Sequence, residues 1–214
     1  MDADDCKAGA IILKDLALFN RAAIFFETQI EPLIRTEIGQ VVSSWLEAHN
    51  WSGESDVSEQ LEDLWVAPRH WMAPEENESY AWFQFRYRAN SDTSSYEIAD
   101  LFGSGQADWG LRFEVGHGWF GGKTAWNAYA KGLVELGHQL NGRGWVHEGK
   151  GVFFRPVVLP ADKLASAWEN EDWVEALAPL RRALDTLVDD LQIFDVIVNG
   201  AKVKAEKAEA AVEH

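Results

Sequence analysis

Four residues of the types used in acid–base catalysis lie in the middle of the chain: Arg86, Arg112, Glu114 and His117. If they lie on and beside neighbouring strands, their side chains can converge, because residues two apart point to the same face of a sheet. Glu114 and His117 could then act as acid and base in a small hydrolase. The structural alternative is a set of opposite charges across strands, which stabilise a sheet by about 0.2–1 kcal/mol each.

A second pattern has the residue types of a metal-dependent nuclease. The triplet Glu148-Gly149-Lys150 has the letters of the Glu-x-Lys in enzymes that resemble the restriction-endonuclease fold, and Asp108 or Asp100 could be the upstream acid. The two carboxylates would hold Mg²⁺ and the lysine would orient a water molecule. Two features oppose this reading, because the glycines around Glu148 predict a turn and an acidic chain is repelled by phosphate.

No other motif predicts a catalytic centre or a cofactor. The sequence lacks a Walker phosphate loop, a Gly-x-Ser-x-Gly elbow, a Cys-x-x-Cys pair and a His-Glu-x-x-His helix. His117, His138 and His147 are too widely spaced for a zinc site, in which two ligands typically lie a few residues apart. Cys6 is the one cysteine, so no internal disulfide can form. We therefore expect neither a metal nor a cofactor.

Aromatic residues in a glycine-rich corner predict a contact surface. The chain has 11 tryptophans, a residue that is usually buried but also dominates binding hot spots. Trp119 and Phe120 lie in the corner Gly116–Gly122, where two large adjacent rings are difficult to bury together. Both are candidate binding residues, and core packing is the alternative.

Negative charge is concentrated at the two ends of the chain. The formal net charge of −16 divides into −9 for residues 1–66, −1 for residues 67–160 and −6 for residues 161–214. Such a surface repels nucleic acid and anionic membranes, so we expect neither as a partner and favour a basic protein. The acids whose helical spacing predicts exposed faces are Glu27, Glu31, Asp185, Asp189 and Asp190.

These features predict an acidic protein-binding module without enzymatic activity. Its sharpest form is an inhibitor that imitates the phosphate lattice of nucleic acid and so blocks a basic, nucleic-acid-binding partner. The acidic N-terminus and the lack of a long apolar stretch predict a soluble, cytoplasmic protein. The sequence does not determine the oligomeric state and leaves a homodimer open.

The elements that must position these residues predict an α+β fold. Residues 8–49 have an apolar stripe at three- and four-residue spacing, which predicts a core-packing helix that kinks or restarts at Pro32. Residues 50–63 are polar and glycine-containing, and we predict a loop with at most one helical turn.

The central part predicts a mostly antiparallel sheet with one helix across it. Strands are expected at 64–67, 80–88 and 108–115, with a weaker strand or short helix at 96–102 and turns at 74–77, 90–92 and 103–105. One helix is then expected to run to Leu140. A hairpin follows at 145–154, and Pro156 ends its second strand or confines it to a sheet edge.

A pair of helices completes the predicted domain. Pro160 starts the first, and Pro179 moves the start of the second towards Ala178. Asn199-Gly200 predicts its end, which leaves 201–214 as a flexible tail. The sequence thus predicts one domain over residues 1–200, with helices in 1–63, the sheet and its helix in 64–158 and the helical pair in 159–200.

Overall fold

The computed structural model describes residues 3–57, 60–73, 78–89, 97–103 and 107–212. It confirms the predicted α+β class, with a central antiparallel sheet flanked by N-terminal and C-terminal helices. The predicted turns at 74–77 and 90–92, and residues 104 and 105 of the third turn, lie outside the described residues. Within the described residues, none of the helices is long and apolar enough to cross a membrane.

Six strands of the described chain form one antiparallel sheet. Its strand order is β1-β2-β3-β4-β6-β5, so the longest strands lie in the middle. The strands are β1 (Trp51–Glu54), β2 (Trp65–Pro68), β3 (Ala81–Ala89), β4 (Ala107–Val115), β5 (Val146–Gly149) and β6 (Val152–Pro156). Pro156 is the last residue of β6, which lies between β4 and β5 and is therefore not an edge strand.

Helices precede and follow the sheet. A π-helical segment, Phe26–Ile30, connects the second helix to the third. The helices are α1 (Ala3–Lys14), α2 (Leu16–Phe25), α3 (Glu31–His49), α4 (Glu97–Leu101), α5 (Gly122–Ala130), α6 (Val134–Asn141), α7 (Ala161–Asn170) and α8 (Ala178–Val212). The segment at 96–102 is thus a helix from Glu97, and α8 begins at Ala178 as its proline predicts.

The core lies on one face of the sheet, under α8. Phe83, Phe113 and Phe153 project from three adjacent strands, and the ring of Phe194 in α8 lies 4.9, 4.8 and 6.0 Å from theirs. All four rings are buried. The alternation of apolar and polar residues in β3 and β4 predicts this face, because successive side chains of a strand point to opposite sides.

Three aspartates of α8 accept hydrogen bonds from three tryptophan indoles. The Nε1–H groups of Trp45, Trp71 and Trp145 donate to Asp185, Asp195 and Asp190 over 3.0, 2.8 and 2.7 Å. The tryptophans lie in α3, in the turn after β2 and just before β5. Because these are charge-assisted hydrogen bonds, they are stronger than neutral ones and hold α8 to three separate parts of the chain.

One of these aspartates corrects a prediction from the sequence. Asp190 is only 1% exposed, and its carboxylate also pairs with Arg143 at 2.9 Å. Its expected role on an exposed binding face is therefore wrong. Spacing along a helix does not reveal which acids face a buried tryptophan from elsewhere in the chain.

The predicted loop at 50–63 is partly wrong, because it contains the edge strand β1. Trp51 pairs with Pro68 in register and is buried. Its ring packs against Trp45 and Phe83, at centroid distances of 5.0 and 6.2 Å. This packing overrides the weak strand propensity of the Ser-Gly-Glu sequence that follows Trp51.

The single helix expected to end at Leu140 is wrong, because two helices occupy that stretch. Helix α5 ends at Ala130 and α6 begins at Val134, with Gly132 between them. Leu133, at the junction, is buried in the core. A break here lets both short helices keep an apolar face on the core. The spacing of their apolar residues continues across the break, so this spacing alone predicts a single helix.

The prediction that residues 8–49 form a core-packing helix, kinked or restarted at Pro32, holds for core packing only in the second half of this range. Ile38, Val42 and other residues of α3 are buried, but none of the α2 residues is. The chain also breaks at Asp15, between α1 and α2, which the sequence analysis does not predict. Pro32 lies in the first turn of α3, where its missing N–H is tolerated.

The predicted helix end at Asn199-Gly200 is also wrong, since α8 continues to Val212. The Tyr129 hydroxyl donates a hydrogen bond to the carbonyl of Ile197 at 2.9 Å and lies where a side chain at position 200 would stand. Gly200 therefore makes room for Tyr129 rather than ending the helix. A glycine within a helix costs about 1 kcal/mol relative to alanine, which this packing offsets.

We predict that Asp190→Ala destabilises the protein much more than Asp189→Ala. Asp190 is buried and bonded to Trp145 and Arg143, whereas its neighbour Asp189 is exposed. Loss of the Asp190 carboxylate leaves a buried indole N–H unpaired and should lower the free energy of unfolding by about 3 kcal/mol. The Asp189 change should cost less than about 0.5 kcal/mol. Urea denaturation of both variants tests this, and equal losses would show that the carboxylate of Asp190 does not secure α8.

Candidate functional site

The face of the sheet opposite the core carries a network of ion pairs. Arg86 pairs with Glu62 at 3.0 Å, and Arg88 pairs with Asp108 at 2.6 Å. Further along β4, the Nε of Arg112 lies 3.3 Å from carboxylate oxygens of both Glu114 and Glu148. This is the surface for which the sequence predicts either an acid–base catalytic group or ion pairs that stabilise the sheet.

Glu114 is a partly buried carboxyl group of this network. Burial raises its pKa above the ordinary value, and this desolvation outweighs the opposing effect of nearby Arg112, Arg86 and His117. The structure thus places Arg86, Arg112 and His117 within electrostatic range of Glu114. Arg112 lies against both Glu114 and Glu148, so its guanidinium occupies the space in which two carboxylates could share a metal ion.

The residues proposed to bind Mg²⁺ are not brought together. Asp108 pairs with Arg88, while Glu148 pairs with Arg112, which lies four residues further along β4. Asp100 is buried and accepts a hydrogen bond from the backbone N–H of Ala107 at 3.1 Å. Among the residues whose placement the structure gives, no group of three or more His, Cys, Asp and Glu side chains could hold a metal ion. The nuclease arrangement is therefore absent from this part of the chain.

The glycine-rich corner buries one of its two aromatic rings. Phe120 is 2% exposed and packs on Trp126 at 5.2 Å, so it cannot be a contact residue in this conformation. Trp119 is half-buried, with its ring edge-on to Tyr80 at 4.9 Å. Of the proposed pair, only Trp119 retains surface for a partner.

The acids proposed for binding lie in different environments. Glu27 and Asp189 are exposed, whereas Glu31 is half-buried and pairs with Arg35 at 2.6 Å. Asp185 is exposed although it accepts the bond from Trp45. Among these acids, Asp185 lines a groove.

That groove runs between α3 on one side and, on the other, α8 with the segment that connects α7 to α8. It consists of two adjoining cavities of about 370 and 530 Å³, which share Glu37 and Arg181 in their linings. We call it the acidic groove, after the four carboxylates in its lining: Glu37, Glu171, Asp172 and Asp185. Apolar side chains lie between them: Leu33, Val41, Trp45, Trp173 and Val174.

Three of the four carboxylates of the acidic groove are absent from the sequence-based site. Glu37 interrupts the apolar stripe of the N-terminal helices, and this single polar residue in an apolar series is the signal that could have identified it. Glu171 and Asp172 lie in the segment before α8, where Asp172 accepts a hydrogen bond from the N–H of Val174 at 3.1 Å. Their proximity to α3 depends on tertiary packing, which local spacing does not encode.

Comparisons with known proteins identify no relative. No protein-family model, no curated protein and no solved structure matches the chain.

We predict that Glu114→Gln flattens the dependence of stability on pH. A carboxyl group whose pKa is raised by folding adds stability below its unfolded pKa, and this contribution is lost as the pH rises through the folded pKa. Glutamine cannot titrate, so the variant should lose less stability than wild type between about pH 4 and about pH 7. Urea denaturation across this range measures the effect, with Glu135→Gln on the exposed surface of α6 as the control. If the free energy of unfolding of Glu114→Gln changed with pH as steeply as that of wild type, the raised pKa of Glu114 would be contradicted.

Proposed function

We propose that this chain is a protein-binding module that holds a basic segment of its partner in the acidic groove. The observation that carries the proposal is the lining of the groove, where four carboxylates face one guanidinium, that of Arg181. Carboxylates gathered in a concave surface focus a negative potential and attract cationic side chains. The partner that fits best is a protein with exposed lysine and arginine.

The apolar residues of the groove support a peptide-like ligand rather than a free cation. Trp45 lines one cavity, and Trp173 and the exposed Val174 line the other. An amphipathic segment could place apolar side chains against these residues and basic ones against the carboxylates. Such a combination gives an apolar centre with a charged rim, which is the usual anatomy of a protein interface.

A finer form of the proposal is inhibition by imitation of nucleic acid. The net charge of −16 supports it, because a basic nucleic-acid-binding protein would be attracted over a long range. The hydrogen bonds of Asp190 and Asp195 to tryptophans leave fewer acids for such imitation, because Asp190 is buried and Asp195 already binds Trp71 and His70. The imitation would therefore depend on the acidic groove and on exposed acids such as Asp189.

A hydrolase that uses the outer face of the sheet is the second candidate. It is favoured by one observation, the raised pKa of Glu114 close to His117, which is suited to general acid–base chemistry. The pairing of Glu114 with Arg112 supports a structural role equally well. The binding function is better supported, because the acidic groove is a concave surface with both charged and apolar lining.

We predict that neutralising the acidic groove weakens partner binding on the order of tenfold, as expected for the loss of two partly exposed charge contacts. The variant is Glu171→Gln with Asp172→Asn, in which the asparagine can keep the hydrogen bond to Val174. The control is Glu135→Gln with Glu206→Gln, which removes the same charge from exposed positions outside the groove lining. The measurement is capture of partners from a native lysate, followed by titration with the purified partner at rising salt.

Two results would contradict this proposal. Binding that is unchanged between about 50 mM and about 500 mM salt would exclude an electrostatic contact. Equal weakening by the groove variant and the control would show that net charge, and not the acidic groove, attracts the partner.

A further inference from the structure

The helices at the N-terminus expose apolar side chains on all sides. We call residues 6–25 the N-terminal arm; it comprises most of α1, Asp15 and all of α2. Eight of the ten residues of α2 are apolar, the exceptions being Asn20 and Arg21, and none is buried. Large apolar side chains exposed along the arm are Ile11, Leu13, Leu16, Leu18, Phe19, Ile24 and Phe25.

A helix that is apolar around its whole circumference is normally covered on several sides. Single exposed apolar residues are common, but a continuous run of this size on a monomer typically marks an interaction surface. Within the described part of the chain, Phe25 packs on Trp168 of α7 at 5.7 Å, yet it remains 47% exposed. Contact with α7 of the same chain therefore leaves much of the apolar surface of the arm exposed.

An apolar groove begins on the arm itself, where Phe19 and Phe25 line it, and continues beyond the arm. Two cavities of about 510 and 350 Å³ share Phe26, Ile30 and Phe102 in their linings, so together they form one continuous depression. Its walls come from the end of α2, the π-helical segment, α4 and α7. The chain thus has both exposed apolar side chains on the arm and an apolar groove into which the apolar side chains of another arm could pack.

The exposed area of the chain is large for its mass. A compact monomer of 24.0 kDa exposes about 9,900 Å² by the usual scaling, whereas this chain exposes 12493 Å². The excess of roughly 2,600 Å² per chain exceeds the ~800 Å² that each partner buries in a standard interface and equals the area that each partner buries in a large obligate dimer. An interface of that size on the arm would bring the exposed area close to that of a compact assembly.

Charge does not oppose packing of one arm on another. Across α1, Asp15 and α2, the bases Lys7, Lys14 and Arg21 are balanced by Asp4, Asp5 and Asp15, in a chain whose total is −16. Two such pairs of helices can therefore approach each other without strong repulsion. An anionic membrane is a poor alternative, because the remainder of the chain would be repelled from it.

We propose that the N-terminal arm is the interface of a homodimer, in which the arm of each copy packs on the arm and apolar groove of the other. A symmetric pair needs a self-complementary surface, which exposed apolar side chains and an apolar groove on the same chain provide. The inference is independent of the acidic groove, which lies elsewhere between α3 and α8.

The decisive experiment compares the mass of wild type and two matched variants by analytical ultracentrifugation over a range of concentrations. The arm variant is Leu13→Gln with Leu18→Gln, at residues 74% and 52% exposed, so the fold of one chain should not depend on them. The control is Val134→Gln with Val196→Gln, at residues 60% and 52% exposed in α6 and α8. Circular dichroism and thermal unfolding report whether each variant is folded.

Wild type and control are expected at twice the 24.0 kDa mass of the chain, and the arm variant as a folded monomer. The dimer dissociation constant should rise at least about a hundredfold, because symmetry applies both substitutions twice. Monomeric wild type at every concentration overturns the proposal, whether or not the protein then binds lipid vesicles or another protein. Equal weakening of the dimer by the arm variant and the control also overturns it.

A second measurement does not depend on the variants. Cys6 is the one cysteine of the sequence and is exposed in the arm, so it can be labelled specifically. Energy transfer should appear when donor-labelled and acceptor-labelled wild-type chains are mixed, and excess unlabelled wild type should abolish it. Absence of transfer from a sample that sediments as a dimer would place the interface away from the arm and overturn the proposal.

Discussion

The fold depends on hydrogen bonds between tryptophan indoles and the aspartates of α8. Asp185, Asp190 and Asp195 are spaced by five residues, and five residues advance about 140° around an α-helix. The three carboxylates therefore point in three different directions, and each meets an indole from a different part of the chain. One helix is thereby fixed to α3, to the turn after β2 and to the segment before β5. The aromatic cluster around Phe194 forms on the side of the sheet that these bonds hold against α8.

This arrangement also determines which acids remain for a partner. A buried indole N–H without an acceptor is costly, and a carboxylate satisfies it strongly. Asp190 and Asp195 therefore serve the interior, and the ion pairs of the outer sheet face occupy Glu62, Glu114 and Glu148. The carboxylates of the acidic groove lie outside these networks, apart from Asp185, which belongs to both. The net charge of the chain therefore overstates how many carboxylates are available to a partner. The acidic groove is the part of the acidic surface whose concave shape suits a ligand.

Much of the fold follows from local sequence patterns, and most of the candidate site does not. The alternation in β3 and β4 predicts both strands and their buried faces, and Pro179 predicts the start of α8. Local patterns fail where a distant residue decides the outcome. Trp51 forms a strand because Trp45 and Phe83 pack on it. Gly200 lies within a helix and does not end it, because the Tyr129 hydroxyl occupies the place that a side chain at position 200 would fill. The acidic groove is of the same kind, since Glu37 and Asp172 are distant in sequence and meet only in the folded chain.

Hydrogen exchange of the indole N–H groups, followed by nuclear magnetic resonance, tests the role of α8 most directly. The Nε1–H groups of Trp71 and Trp145 are predicted to exchange as slowly as the most protected backbone amides, because their release from Asp195 and Asp190 requires α8 to detach. Asp190→Asn should accelerate exchange at Trp145 more than at Trp71. Exchange of both indoles at the rate of a free indole in the folded protein would contradict the account, because α8 would then be held by apolar packing alone.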